Sequence, residues 1–161
     1  CGRMRRCGGM ARSRQCILEG EPMVSKLDRE HNPNHTSYVL YFHVVWATKK
    51  REPLIDREMA GFLRDFLTEK CEKLEVHLLE QGILCDHVHL MLSLRPTHYI
   101  PEVINYLKGT SSHEANNHHE FANPLYWTRG YRINTVSERS LDVARAYVRN
   151  QHQRHPDLIP Q

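Results

Sequence analysis

The segment from Tyr38 to Trp46 constrains this chain more than any other. Tyr38, Leu40, Phe42, Val44 and Trp46 alternate with Val39, Tyr41, His43 and Val45. β-Branched and aromatic residues in such a run fit a pleated strand and disfavour a helix. The remaining elements can be read outward from that strand. Between Asp56 and Leu74, the residues Met59, Phe62, Leu63, Phe66, Leu67, Cys71 and Leu74 recur at helical spacing, which gives one buried face. Two further strands, Val76 to about Leu84 and His87 to Leu94, flank a bend at Cys85 and Asp86. Ile100, Val103, Ile104 and Leu107 follow Pro96 on one helical face, and this second helix is expected to break near Gly109. After the polar stretch GTSSHEANNHHE, Tyr126 to Val136 reads as a fourth strand. Leu141 to about Gln153 reads as a last helix stopped by Pro156.

Strand, helix, strand, strand, helix, strand, helix is the split βαβ order with one added helix. It predicts an α+β, ferredoxin-like (RRM-like) four-stranded antiparallel sheet with helices on one face and a separate C-terminal helix. There are no internal repeats.

A chain of 161 residues suits one domain with one core. Residues 1–36 lack periodicity and combine CGRMRRCGGMARSRQC with EHNPNHTS, so they read as a disordered extension. Residues 37–155 then form the domain and 156–161 a tail. No apolar run nears the ~18 residues that a membrane span needs, so no membrane partner is expected. The balance of 22 Lys and Arg against 19 Asp and Glu leaves +3, which says little about nucleic acid. An odd count of five cysteines without an apolar leader favours a reducing, cytoplasmic setting.

Two motifs carry chemistry. In DHVHLML, period two puts His87, His89, Met91 and Ser93 on one face of a strand and Val88, Leu90, Leu92 and Leu94 on the other. Two neutral imidazoles side by side, clear of the core, can share a divalent cation and leave positions open for water or phosphate oxygen. With 12 histidines in the chain, about one His-x-His arises by chance, so the pair needs support. Asp86 can orient one ligand or serve only the turn. The second motif is ARAYVRNQ, where Tyr147 and Gln151 stand four apart on one side of the last helix, at the flank of the face marked by Leu141, Ala144 and Val148. The plainer reading of Tyr147 is a packing residue with its hydroxyl in water.

Five blocks together resemble the HUH single-tyrosine transposases of small bacterial insertion sequences and their relatives associated with repeated extragenic palindromes. FHVVWATKKREPL resembles their opening strand and basic turn, CDHVHLML the HUH strand, and YLKGTSS the end of the second helix. LYWTRGYRINTVSE resembles the fourth-strand block and AYVRNQ the tyrosine helix. The resemblance spans about residues 38 to 153. Two departures stand out: YRINTVSE lacks the glycine expected near its end, and the N-terminal extension has no counterpart.

The resemblance implies that Tyr147 is the nucleophile on a catalytic C-terminal helix and that His87, His89 and Gln151 hold Mg2+ or Mn2+. It implies a 5'-phosphotyrosine intermediate, single-stranded DNA with hairpin ends as substrate, a homodimer, and no organic cofactor. Lys49, Lys50, Arg51, Lys108, Ser111, Ser112, Arg129 and Arg132 are the expected DNA contacts; solvated surface charge is the ordinary alternative for the basic ones. Two other function classes stay open at this point. One is a non-catalytic RRM-like nucleic-acid-binding module, prompted by the fold order and the aromatics of the first strand. The other is a hydrolase of small phosphodiesters, in which Tyr147 would be dispensable.

Overall fold

The computed structural model describes residues 38–118 and 120–161. The extension expected over residues 1–36 lies outside the described residues. Four strands form one sheet: β1 (Tyr41–Ala47), β2 (His77–Ile83), β3 (His87–Ser93) and β4 (Arg132–Val136). Their order is β2-β3-β1-β4 with every pairing antiparallel, the arrangement that split βαβ connectivity demands.

Helix α1 (Arg57–Lys73) starts where the Asp56 carboxylate accepts the Met59 N–H at 2.8 Å, satisfying one of the orphan donors of the first turn. Met59, Leu63, Phe66, Leu67 and Cys71 make its buried stripe. With Val103, Ile104 and Leu107 of helix α2 (Ile100–His118), α1 closes a core over Phe42, Val44, Trp46, Val88, Leu90 and Leu92. The last helical segment is two pieces, α3 (Leu141–Arg149) and α4 (Gln151–Arg154), separated at Asn150. Helix α3 packs on β2 and β3. Its neighbours there include Gly82 and Glu80, which share a sheet face with His89 and Met91 through the β2–β3 register. The terminal helix therefore covers the face opposite α1 and α2.

Three local expectations give way to tertiary packing. Helix α2 runs through Gly109 to His118 rather than breaking there. Gly109 looks onto open space and costs only about 1 kcal/mol in propensity, while Leu107, Ser111 and Ala115 continue the buried stripe beyond it. Near its end, Asn116 brackets Leu125 with two hydrogen bonds of 2.7 and 3.0 Å. The fourth strand is confined to Arg132–Val136, because the Lys108 ammonium donates to the carbonyls of Arg129 and Gly130 at 2.8 and 3.1 Å and diverts them from the ladder. Trp127 keeps a single bridge, to Thr48. The residues after 155 are not a loose tail: Leu158 O accepts the Cys85 N–H at 2.8 Å and Gln161 O accepts the Arg57 N–H at 3.0 Å.

Candidate active site

The β-sheet register builds the site. His89 on β3 is opposite Val45 on one neighbour and Gly82 on the other, and His43 lies two residues along β1 on the same face. His87 and His89 have ring centroids 4.9 Å apart, as period two requires. They are not clear of packing, however: each is only 6% exposed. The terminal helix that brings Tyr147 also covers the face they occupy. Each imidazole is held by a neighbour. The Asp86 carboxylate bonds His87 Nδ1 and at the same time accepts from Arg51 at 3.0 Å. His43 Nε2 lies 2.9 Å from His89 Nδ1 with the two ring planes nearly parallel.

Charge in this cluster is arranged by burial and partners. Burial, reinforced by His87, His43, His155 and Arg51, pushes His89 down to about 3, so its ring is neutral near pH 7 and keeps a lone pair. Burial also lowers His43. Burial would raise the Asp86 carboxyl, but hydrogen bonds and charge from His87 and Arg51 outweigh it and hold Asp86 below the usual carboxylate range.

Tyr147 enters from α3. Its ring meets those of His43 and His89 edge-on at 5.8 and 6.0 Å, and the Arg154 guanidinium sits 4.8 Å from its centroid. It is 37% exposed, and with His43, His87, His89, Arg51 and Arg132 it lines an open cleft of about 550 Å³. Gln151, fully buried, donates through Nε2 to Tyr147 O at 2.9 Å. Its side chain passes over Gly82, the strand position beside His89.

Two buried polar atoms here lack any hydrogen-bond partner, His89 Nε2 and Gln151 Oε1. Stranding such atoms costs about 1–3 kcal/mol each unless something fills the role. Among the described residues no three His, Cys, Asp or Glu side chains gather into a cation site, and a neutral side-chain oxygen can complete a His pair. The amide oxygen of Gln151 is one. The residues present therefore fit a divalent cation held by His87, His89 and Gln151.

The expected DNA contacts divide. Arg51 and Arg132 line the cleft, whereas Lys49, Lys50 and Arg129 are exposed outside its lining. Lys108 and Ser111 are buried; Ser111 donates to Lys108 O and accepts from Trp127 Nε1, both at 3.0 Å. Ser112 donates to Gly109 O within its own helix. Sequence reasoning missed His43 as a site residue, and the signal was its position in the first strand, legible only once the β1–β3 register is known. It also missed the strain at the basic turn, where Lys50 and Arg51 both take left-handed backbone conformations (φ 59° and 57°). That turn is pinned by Thr48, whose N–H and hydroxyl both donate to Asp86 O.

The family model described as "Transposase IS200 like" matches residues 36–151. The chain belongs to the IS200-like transposase family. The ISDra2 transposase TnpA of Deinococcus radiodurans is 30% identical over 120 residues, covering 71% of this chain and 86% of that one. The transposase for insertion sequence element IS200 of Salmonella typhimurium is 28% identical over 122 residues, covering 73% and 80%. A solved structure of a REP-associated tyrosine transposase bound to a REP hairpin shares the fold, with a TM-score of 0.56 and 12% identity over 75% of this chain and 73% of that one. DNA transposition is therefore the activity class of this IS200-like transposase, and the α+β antiparallel sheet is the scaffold it uses. Of the first-strand aromatics that prompted the RRM-like alternative, Tyr41, Phe42 and Trp46 are buried and Tyr38 is exposed. No described helix is long and apolar enough to cross a membrane.

Proposed function

We propose that this IS200-like transposase cuts and rejoins single-stranded DNA by direct attack of Tyr147 on a phosphodiester, with residues 37–155 as the catalytic domain. The observation that carries this reading is the packing of the Tyr147 ring against His43 and His89 at the mouth of a cleft that His87 also lines. A Tyr–O–P bond forms as the P–O3' bond breaks, leaving a 5'-phosphotyrosine and a 3'-hydroxyl. No water is consumed, so attack by a 3'-hydroxyl on the phosphotyrosine rejoins the strand and frees the tyrosine. His87, His89 and Gln151 are the proposed ligands of Mg2+ or Mn2+; such a cation, when bound, supplies polarisation of the phosphoryl oxygens and stabilises charge on the departing oxygen.

The chain's own groups do the rest. Asp86 fixes the His87 ring, and Arg51 and Arg132 bring positive charge to the cleft where a phosphate must enter. A phenol hydroxyl is a weak nucleophile without activation, so positioning beside the proposed ligands is essential. The hairpin in the solved structure supports hairpin ends as the DNA form, the resemblance supports a homodimer and no organic cofactor, and the cysteine usage supports a cytoplasmic setting.

Incubation of the protein with labelled single-stranded element ends and Mn2+ should yield a covalent protein–DNA adduct that Tyr147→Phe abolishes. An undiminished adduct in Tyr147→Phe would overturn the assignment.

A further inference from the structure

His43 was not among the residues the motifs singled out, yet it touches two of the four groups on which the reaction depends, His89 and Tyr147. Its Nε2 lies 2.9 Å from His89 Nδ1, the ring planes lie within 13° of parallel, and Tyr147 meets its ring edge-on. A hydrogen bond between two neutral imidazoles needs one N–H and one lone pair, and the far nitrogen of the acceptor then carries a proton. His89 Nε2 is buried with no acceptor nearby, so a proton there would be stranded. A lone pair there has no partner within the chain either, but the cation proposed above would fill it, so the Nδ1–H form of His89, donating to His43 Nε2, is the one that fits the ligand reading. That leaves the His89 Nε2 lone pair free.

We propose that His43 is a positioning residue that selects the Nδ1–H tautomer of His89 and locks its ring plane, so that Nε2 is presented to a divalent cation while the Tyr147 ring packs edge-on against both imidazoles. The inference rests on the reading of His87 and His89 as cation ligands. Sequence position assigns no such role: β1 carries His43 opposite Met91, and only the sheet register sets it diagonally beside His89 on the same face. Asp86 orients His87 through Nδ1 and His43 orients His89 through Nδ1, so both ligands would be held by the same device from different strands.

Two measurements on the full chain test this. Long-range 1H–15N spectra of the metal-free protein should show His89 protonated at Nδ1, and His43→Leu should shift the ring toward the Nε2–H form. Mn2+ titration should show about a 10–100-fold weaker affinity in His43→Leu, and substantial rescue in His43→Gln, whose amide oxygen can accept the same N–H. His89→Ala serves as the control for the underlying reading. If His89→Ala binds Mn2+ as tightly as the unaltered protein, the ligand assignment fails. If His89→Ala loses binding while His43→Leu retains it, or if unaltered His89 carries its proton on Nε2, the role given to His43 fails.

Discussion

Gly82 and Val148 approach so closely that a Cβ on the glycine would stand 2.6 Å from the valine's carbonyl oxygen. That is well inside van der Waals contact, and the obstructing atom is backbone, so only movement of the helix relieves it. Gly82→Ala is therefore expected to destabilise the protein by about 1–3 kcal/mol in urea unfolding. It should also lower the adduct yield of Tyr147, because α3 must lift from β2. Unchanged stability would show that the helix seats less tightly than this contact implies.

Glu80 holds the same helix from the side, bonded to Arg145 at 3.1 Å and also to Arg149. Burial would raise its carboxyl, but hydrogen bonds and charge from Arg149 and Arg145 outweigh it and hold the group below the usual carboxylate range. The unfolded chain then binds the proton more readily, so this contribution to stability is present above the ordinary glutamate pKa of about 4.3 and is lost as pH falls below it. Glu80→Gln should flatten the acid limb of a stability–pH profile. An acid limb identical in both proteins would assign it to other carboxylates.

Lys108 is expected to act on the fold rather than on DNA. Burial lowers its ammonium, which still donates to Arg129 O and Gly130 O. Lys108→Met keeps the aliphatic stem but leaves two carbonyls without their donor, an expected loss of about 1–3 kcal/mol in thermal unfolding. The slope of DNA affinity against salt should stay the same. A slope shallower by about one would instead make Lys108 a phosphate contact.

Asp86→Ala should weaken Mn2+ binding about 10–100-fold, since the His87 ring loses the carboxylate that fixes its tautomer and orientation. Isothermal titration reads this directly. Equal affinity in the variant would mean that Asp86 serves only the bend, where its carbonyl accepts from Thr48.

The element order was legible because each element's period is a local property of its residues. Alternation in Tyr38–Trp46 and DHVHLML gives strands, and the spacing of Met59, Leu63 and Leu67 gives a helix, whatever lies elsewhere in the chain. Element ends were less legible. Gly109 reads as a stop, and only the contacts of Ser111, Ala115 and Asn116 carry α2 nine residues past it. Likewise Tyr126–Gly130 has strand-like residues, but the carbonyls of Arg129 and Gly130 are claimed by Lys108.

By itself the sequence determined the split βαβ order, the placement of His87 and His89 on one strand face, and the pairing of Tyr147 with Gln151 one helical turn apart. These follow from periods of 2 and 3.6, which act between near neighbours. Tertiary structure alone decided that His43 meets His89, that Arg51 turns to Asp86, that Gly82 admits the tyrosine helix, and that Lys108 and Ser111 face inward. Each of these depends on strand register or on one element covering another, and contacts between residues tens of positions apart have no period for a sequence to display.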